Sequence, residues 1–193
     1  MHLILSRLAS LFIALILSAC ATPMRLDYSG SDVGSVVMSL YHESPTYFES
    51  TLLAFRPVGS QDKWGFFRHD RGLLGAFSTG KNYSTEAEHG VTAVAFLPPG
   101  EYEFYNYKFD RTLGGGAIST ELTYYSKKPF SIPFTVRPGE VAYVGSYRAS
   151  LSSAGASLSV SNRMSRDLAV ARELNAQLNK MRPIDMTPGR SHP

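Results

Sequence analysis

The sequence predicts a mainly β fold, a single antiparallel β-sandwich of about seven or eight strands with one C-terminal amphipathic α-helix. Three observations predict it. Apolar residues between Val33 and Ser161 recur with the period of strands rather than helices. Clusters of Gly, Pro, Ser and Asp punctuate those runs where turns belong. After Asn162 the spacing changes to three and four residues, which is the period of a helix.

Val36-Val37-Met38-Ser39-Leu40-Tyr41, Thr51-Leu52-Leu53-Ala54-Phe55 and Lys63-Trp64-Gly65-Phe66-Phe67-Arg68 are the first three strand candidates. The strongest local pattern follows them. Residues Val91 to Leu97 lead through Pro98-Pro99-Gly100-Glu101 into Tyr102-Glu103-Phe104-Tyr105-Asn106-Tyr107-Lys108-Phe109. Proline presets the first turn position and glycine accepts a positive φ, so the two runs read as a hairpin. Simple alternation would then send Tyr102, Phe104 and Asn106 to one face and Glu103, Tyr105 and Tyr107 to the other. Ser119 to Tyr125 supplies another strand. Pro-Gly-Glu recurs at residues 138–140, between Phe130 to Val136 and Val141 to Tyr147, and Pro133 marks an edge or a bulge. Ala156 to Ser161 is the last short strand. Met164, Leu168, Ala171, Leu174, Leu178 and Met181 then share one helical face, capped by Asn162 or Ser165 and stopped by Pro183.

The first nineteen residues are of another kind. Arg7 precedes the apolar run from Leu11 to Leu17, and Ser18-Ala19-Cys20 follows, in the order of a charged region, a short apolar region and a small-residue cleavage site. The run falls short of the roughly 20 apolar residues that span a bilayer. Leu17-Ser18-Ala19-Cys20 resembles the lipobox of bacterial lipoproteins. That resemblance implies cleavage before Cys20, a diacylglyceryl thioether on its sulfur and acylation of the new amine. Several acyl chains, at about 0.8 kcal/mol per buried methylene, make such an anchor in effect permanent. Ala21 stands where an aspartate would signal inner-membrane retention in that family, which implies the outer membrane and a body facing the periplasm. The expected organisation is therefore a signal peptide over 1–19, a lipidated N-terminus and flexible tether over 20–32, the sandwich over 33–161, the helix over 162–182 and a disordered tail over 183–193.

Cys20 is the single cysteine, so once lipidated it leaves no disulfide, and stability must come from an apolar core. The apolar fraction of 44% and charged fraction of 18% are globular values. Net charge is +3, or +2 without Arg7, which gives no reason to expect nucleic acid as a partner.

Catalytic and metal-binding patterns are sparse. His42, His69, His89 and His192 show no metal-ligand spacing, and Glu86-Ala87-Glu88-His89 reads as a solvated acidic loop. No Gly-x-Ser-x-Gly elbow occurs, and Gly114-Gly115-Gly116 lacks the lysine and helix of a phosphate loop. We expect no metal, no cofactor and no enzymatic activity. The tyrosines pose one functional alternative. Tyr102, Tyr105, Tyr107, Tyr124 and Tyr143, with Tyr125 and Tyr147, fall on strands expected to be neighbours, where they either fill a sandwich or form a surface that stacks on sugars or takes a peptide strand.

The strand, Pro-Gly-Glu turn and Tyr-rich strand, with Phe134-Thr135-Val136, Tyr143-Val144-Gly145 and Arg166-Asp167-Leu168, resemble small bacterial lipoproteins with a transthyretin-like or carboxypeptidase-regulatory-like β-sandwich. This implies a fold and a location and carries over no catalytic residue. The expectation for function is a lipid-anchored envelope lipoprotein that binds or scaffolds an envelope protein or glycan without catalysis. A small hydrolase of peptidoglycan or carbohydrate, or a carrier of a small apolar ligand, is the alternative.

Overall fold

The computed structural model describes residues 22–42, 48–70, 80–84, 88–115, 118–152 and 155–189. They form a mainly β protein with two open sheets and one α-helix. In chain order the elements begin with β1 (Thr22–Pro23), β2 (Gly34–His42), β3 (Phe48–Pro57), β4 (Lys63–Asp70), β5 (Lys81–Ser84) and β6 (His89–Leu97). Then come β7 (Gly100–Gly115), β8 (Ile118–Tyr125), β9 (Ile132–Val136), β10 (Glu140–Ser152) and β11 (Gly155–Ser161). The chain closes with α1 (Met164–Leu174), a 3-10 turn (Ala176–Lys180) and β12 (Arg182–Asp185). The runs read from sequence correspond to the longer strands, and β1, β5 and β12 are short additions at sheet edges.

Each sheet is built on one long strand. Sheet I runs β1-β4-β3-β7, and β9 and β8 divide the remaining side of β7, β9 along residues 100–104 and β8 along 108–115. Sheet II runs β5-β6-β2-β10, and β12 and β11 divide β10 in the same way, along 140–143 and 146–152. Most strand pairs are antiparallel, as the sequence predicts, but three depart from that expectation. The β2–β10, β10–β12 and β1–β4 pairs are parallel. Side-chain period reports which face a residue takes and not the direction of its neighbour, so this difference was invisible in the pattern.

The inner faces of the sheets meet in one buried cluster. Sheet II contributes Val36, Met38 and Leu40 of β2 and Val91 to Leu97 alternately from β6; sheet I contributes Leu53, Phe55, Phe67, Phe104 and Phe134. Phe104 lies at its centre, with ring centroids 4.9 Å from Phe134, 5.5 Å from Tyr147 and 6.2 Å from Phe67.

A bulge in each long strand resets the alternation. Between Ala54 and Phe55 of β3 the β7 partner jumps from Asn106 to Phe104, which leaves Tyr105 as the extra residue. Tyr107 and Phe109 therefore face the core together with Tyr102 and Phe104, which corrects the faces expected from plain alternation. In β10 the register against β2 shifts between Tyr143 and Ser146, and Gly145 supplies the required φ of 112°. A Cβ there would lie 2.6 Å from Val160 Cγ2.

α1 packs on the outer face of sheet II. Leu168, Ala171, Leu178 and Met181 cover Val37, Val141 and Tyr143. The helix is shorter than the expected 162–182: Asn175 leaves helical geometry and its side chain accepts from the Gln177 N–H, starting the 3-10 turn. Leu174, assigned to the buried stripe by periodicity, is 42% exposed as a result. The N-cap is Arg163, not the expected Asn162 or Ser165, and has no side-chain cap bond, although the Asn162 Oδ1 before it accepts from the Met164 N–H. The decisive contact comes from β10, where the Tyr143 hydroxyl accepts the Arg163 N–H at 3.0 Å and donates to Asp167 at 2.7 Å.

Both presumed loose ends are joined to the fold. In the segment expected to be a tether, β1 lies beside β4, the Phe96 N–H donates to Leu26 O, and Met24 and Leu26 pack against the core. In the segment expected to be a disordered tail, β12 pairs with β10 and the Met186 N–H donates to Tyr143 O. Their backbone donors and acceptors find partners that composition does not announce.

Replacing Tyr143 by Phe removes the hydroxyl and leaves the fully buried Asp167 carboxylate one donor short. We expect a loss of about 1–3 kcal/mol in chemical denaturation. A change within error would show that the hydroxyl does not hold the helix.

Candidate interaction surface

The outer face of sheet I is laid out by the pleat of β4, β3 and β7. Gly65, Phe67 and His69 turn inward, so Trp64, Phe66 and Arg68 turn outward. On β3, Leu52 and Arg56 share that side, with the small Ala54 registered against Phe66 between them. Among the described residues no element lies across this face, whereas α1 covers the corresponding face of sheet II.

Its side chains form two kinds of contact. Trp64 and Phe66 stack with centroids 5.7 Å apart. The Arg56 guanidinium lies 4.4 Å over the Tyr105 ring while its Nε donates to Glu103 at 2.8 Å. Ser131 donates to the other Glu103 oxygen at 2.5 Å. The Ser131 and Arg56 hydrogen bonds hold the Glu103 carboxyl below its ordinary 4.5. Further along, Lys108 pairs with Asp110 at 2.8 Å, and Tyr125, opposite Lys108, is 57% exposed. Half-buried rings interleaved with paired charges suit a flat partner with an apolar or ring surface and polar edges.

A second polar cluster fastens α1. Arg163 and Arg166 both donate to Glu88, the second at 3.2 Å, and each guanidinium lies 4.7 Å from a tyrosine ring, Tyr41 and Tyr83 respectively. Arg166 also donates to Asp167 at 2.8 Å. Burial pushes the Tyr83 hydroxyl up to about 12, and burial followed by the Asp167 charge raises that of Tyr143. With the carboxylates and guanidiniums already matched, this arrangement binds helix to sheet. Glu88, read from sequence as part of a solvated acidic loop, belongs to it.

The predicted site residues separate under this geometry. Tyr102, Tyr107 and Tyr143 are buried at 3%, 5% and 0%, so they do not form the expected surface. Tyr124 is half-buried against the core, and Tyr147 is inside it. Tyr105 reaches the outer face because the bulge frees it, and Tyr125 because it stands on β8 opposite Lys108. Cys20 lies outside the described residues. The sequence reading overlooked Trp64 and Phe66 as surface residues, although their spacing by two in β4 was a visible signal.

Two of the histidines, His42 and His69, meet between the sheets at the end where β2 stops. His42 is hydrogen-bonded to Thr51 at 3.0 Å, and its ring centroid is 5.2 Å from that of His69. Among the described residues no group of three or more metal-ligating side chains converges. No described helix is long and apolar enough to cross a membrane.

Neither a family model nor a curated protein matches the chain. Among solved structures, it is similar to a leucine-rich repeat protein from Bacteroides thetaiotaomicron at 14% identity and a TM-score of 0.32. That overlay spans 61% of this chain and 14% of the other protein, and so weak a likeness says nothing about fold or function.

Glu103 supplies a pH test of the surface. Because its folded value is lowered, its stabilising contribution is complete above pH 4.5 and disappears as pH falls through the folded value. Wild type should therefore lose more unfolding free energy between pH 5 and pH 3 than Glu103→Gln does. Equal losses would overturn the assignment.

Proposed function

We propose that this chain is a bacterial envelope lipoprotein, anchored through lipid on Cys20 to the outer membrane and facing the periplasm, with a non-enzymatic binding or scaffolding role. Its two sheets are read as the layers of a β-sandwich. The observation that carries the binding role is the outer face of sheet I, which no described element covers and where Phe66, Leu52, Tyr105 and Tyr125 stand among paired charges. An uncovered face of this composition, opposite one that a helix already occupies, supports a partner-binding reading. The lipobox supports the anchor. The partner is an envelope protein or glycan that presents rings or apolar groups to the sheet.

Two measurements test the reading. Cys20→Ser should move the protein from the membrane fraction to the soluble fraction, and unchanged retention would count against the anchor. Crosslinking in intact cells should yield an adduct that disappears in the Phe66→Ser/Tyr125→Ser variant and persists in Leu174→Ser, which alters an exposed residue of α1. An adduct indifferent to the sheet variant would remove this face from the interaction.

A further inference from the structure

The proposed anchor and the docked N-terminal segment together fix which part of the body meets the membrane. β1 is parallel to β4, with Thr22 opposite Lys63 and Pro23 opposite Trp64, and the Met24 N–H donates to Trp64 O at 2.6 Å. The chain therefore enters β1 from the side of the β3–β4 turn, residues 58–62. Only Ala21 separates Cys20 from β1. At about 3.3–3.6 Å per residue, the two steps from Cys20 to Thr22 span at most about 7 Å.

The attachment beyond β1 is firm. Phe96 donates to Leu26 O at 2.8 Å and Tyr28 donates back to Phe96 O at 3.0 Å, so this segment clips β4 of one sheet to β6 of the other. Leu26 is packed against the core, and releasing the segment would expose it. A lipid-bearing Cys20 thus has little freedom to let the body stand away.

The turn at that end presents apolar and basic groups to a surface, with one exposed carboxylate, Asp62, among them. Val58, at the start of the turn, is 56% exposed, although a lone valine at a turn gains nothing from water. Lys63 is exposed beside it, and the half-buried Trp64 follows. Tryptophan favours the headgroup region of bilayers, where its ring is apolar and its N–H stays wet, and lysine can reach lipid phosphates.

We propose that the 58–62 turn and Trp64 rest on the bilayer surface, with the strands rising from it and the opposite end, where β8 begins, directed away. This inference rests on lipidation at Cys20. From Glu101, which accepts from the Val58 N–H, to Gly115, opposite Ile118, β7 rises about 46 Å at about 3.3 Å per residue, while β2 ends lower, level with Phe109. The interaction face of sheet I would then stand upright on the membrane, open to partners from the side.

Trp64 is the only tryptophan in the chain, so its fluorescence reports this position without labelling. Full-length lipidated protein is reconstituted into phosphatidylethanolamine/phosphatidylglycerol vesicles carrying a small fraction of dansyl headgroups. Flotation of wild type with the vesicles, and its loss in Cys20→Ser, tests the anchor; a wild type that does not float overturns anchor and orientation together. In floating protein, energy transfer from Trp64 to dansyl should exceed by several-fold that from the Trp64→Phe/Thr120→Trp variant, whose donor sits on exposed β8 at the opposite end. Equal or weaker transfer from Trp64 overturns the orientation and leaves the anchor standing. A Gly/Ser spacer of about ten residues between Ala21 and Thr22 keeps every strand intact and should preserve flotation while lowering transfer. Undiminished transfer with the spacer overturns the argument from tether length.

Discussion

All nine residues of β2 are buried, and the rest of the architecture answers to that constraint. A strand with apolar side chains on both faces must be covered twice. Val36, Met38 and Leu40 point into the space between the sheets and require sheet I; Val37 points the other way and requires α1. Each fully buried Val, Leu or Met side chain contributes about 1.5–3 kcal/mol, so an unoccupied side of β2 would cost more than a small fold can spare. The neighbours of β2 serve the same demand. β6 pairs along its whole length on one side, and β10 runs parallel to it on the other.

The two bulges make this double coverage compatible with long strands. In β10, Val141 and Tyr143 face the helix while Tyr147 and Ala149 face the interior, and Gly145 marks the change of phase. In β7, Tyr105 takes up the extra position, so that four aromatic residues reach the core and one is left to stack beneath Arg56. A uniform pleat would have left at least one of these aromatic groups in water.

Sequence patterning revealed what local periodicity encodes. The long strands and the helix from Met164 were legible, because each depends on neighbours within a few residues. The Pro-Gly segments were legible as turns but not as the hairpins expected: Leu97 and Tyr102, and again Val136 and Val141, belong to different sheets, so each turn crosses from one sheet to the other, and Gly100 does not take the positive φ expected of it. What escaped depends on distant partners. Nothing near Tyr107 announces a bulge set by β3, and nothing in residues 22–28 or 182–186 announces the strands that receive them. The site was legible only in part for the same reason. Tyrosine is favoured in strands whether buried or exposed, so counting tyrosines could not separate Tyr143 from Tyr125. Trp64 and Phe66 were readable from their spacing, but only knowledge that no described element covers sheet I gives that spacing a functional meaning.

The parallel union of β2 with β10 sets the order in which the chain can acquire its structure. Val36 must wait for Ala142, and β12, the last strand, must wait for almost the whole polypeptide to emerge. Contacts of such long sequence separation are slow to form, because the intervening loop must be closed before any pairing energy is gained. A ribosome-bound fragment that ends before β10 therefore holds β2 paired with β6 along one edge only. The export proposed for this chain, through a pore that admits only extended polypeptide, would be helped by a topology that postpones its own completion.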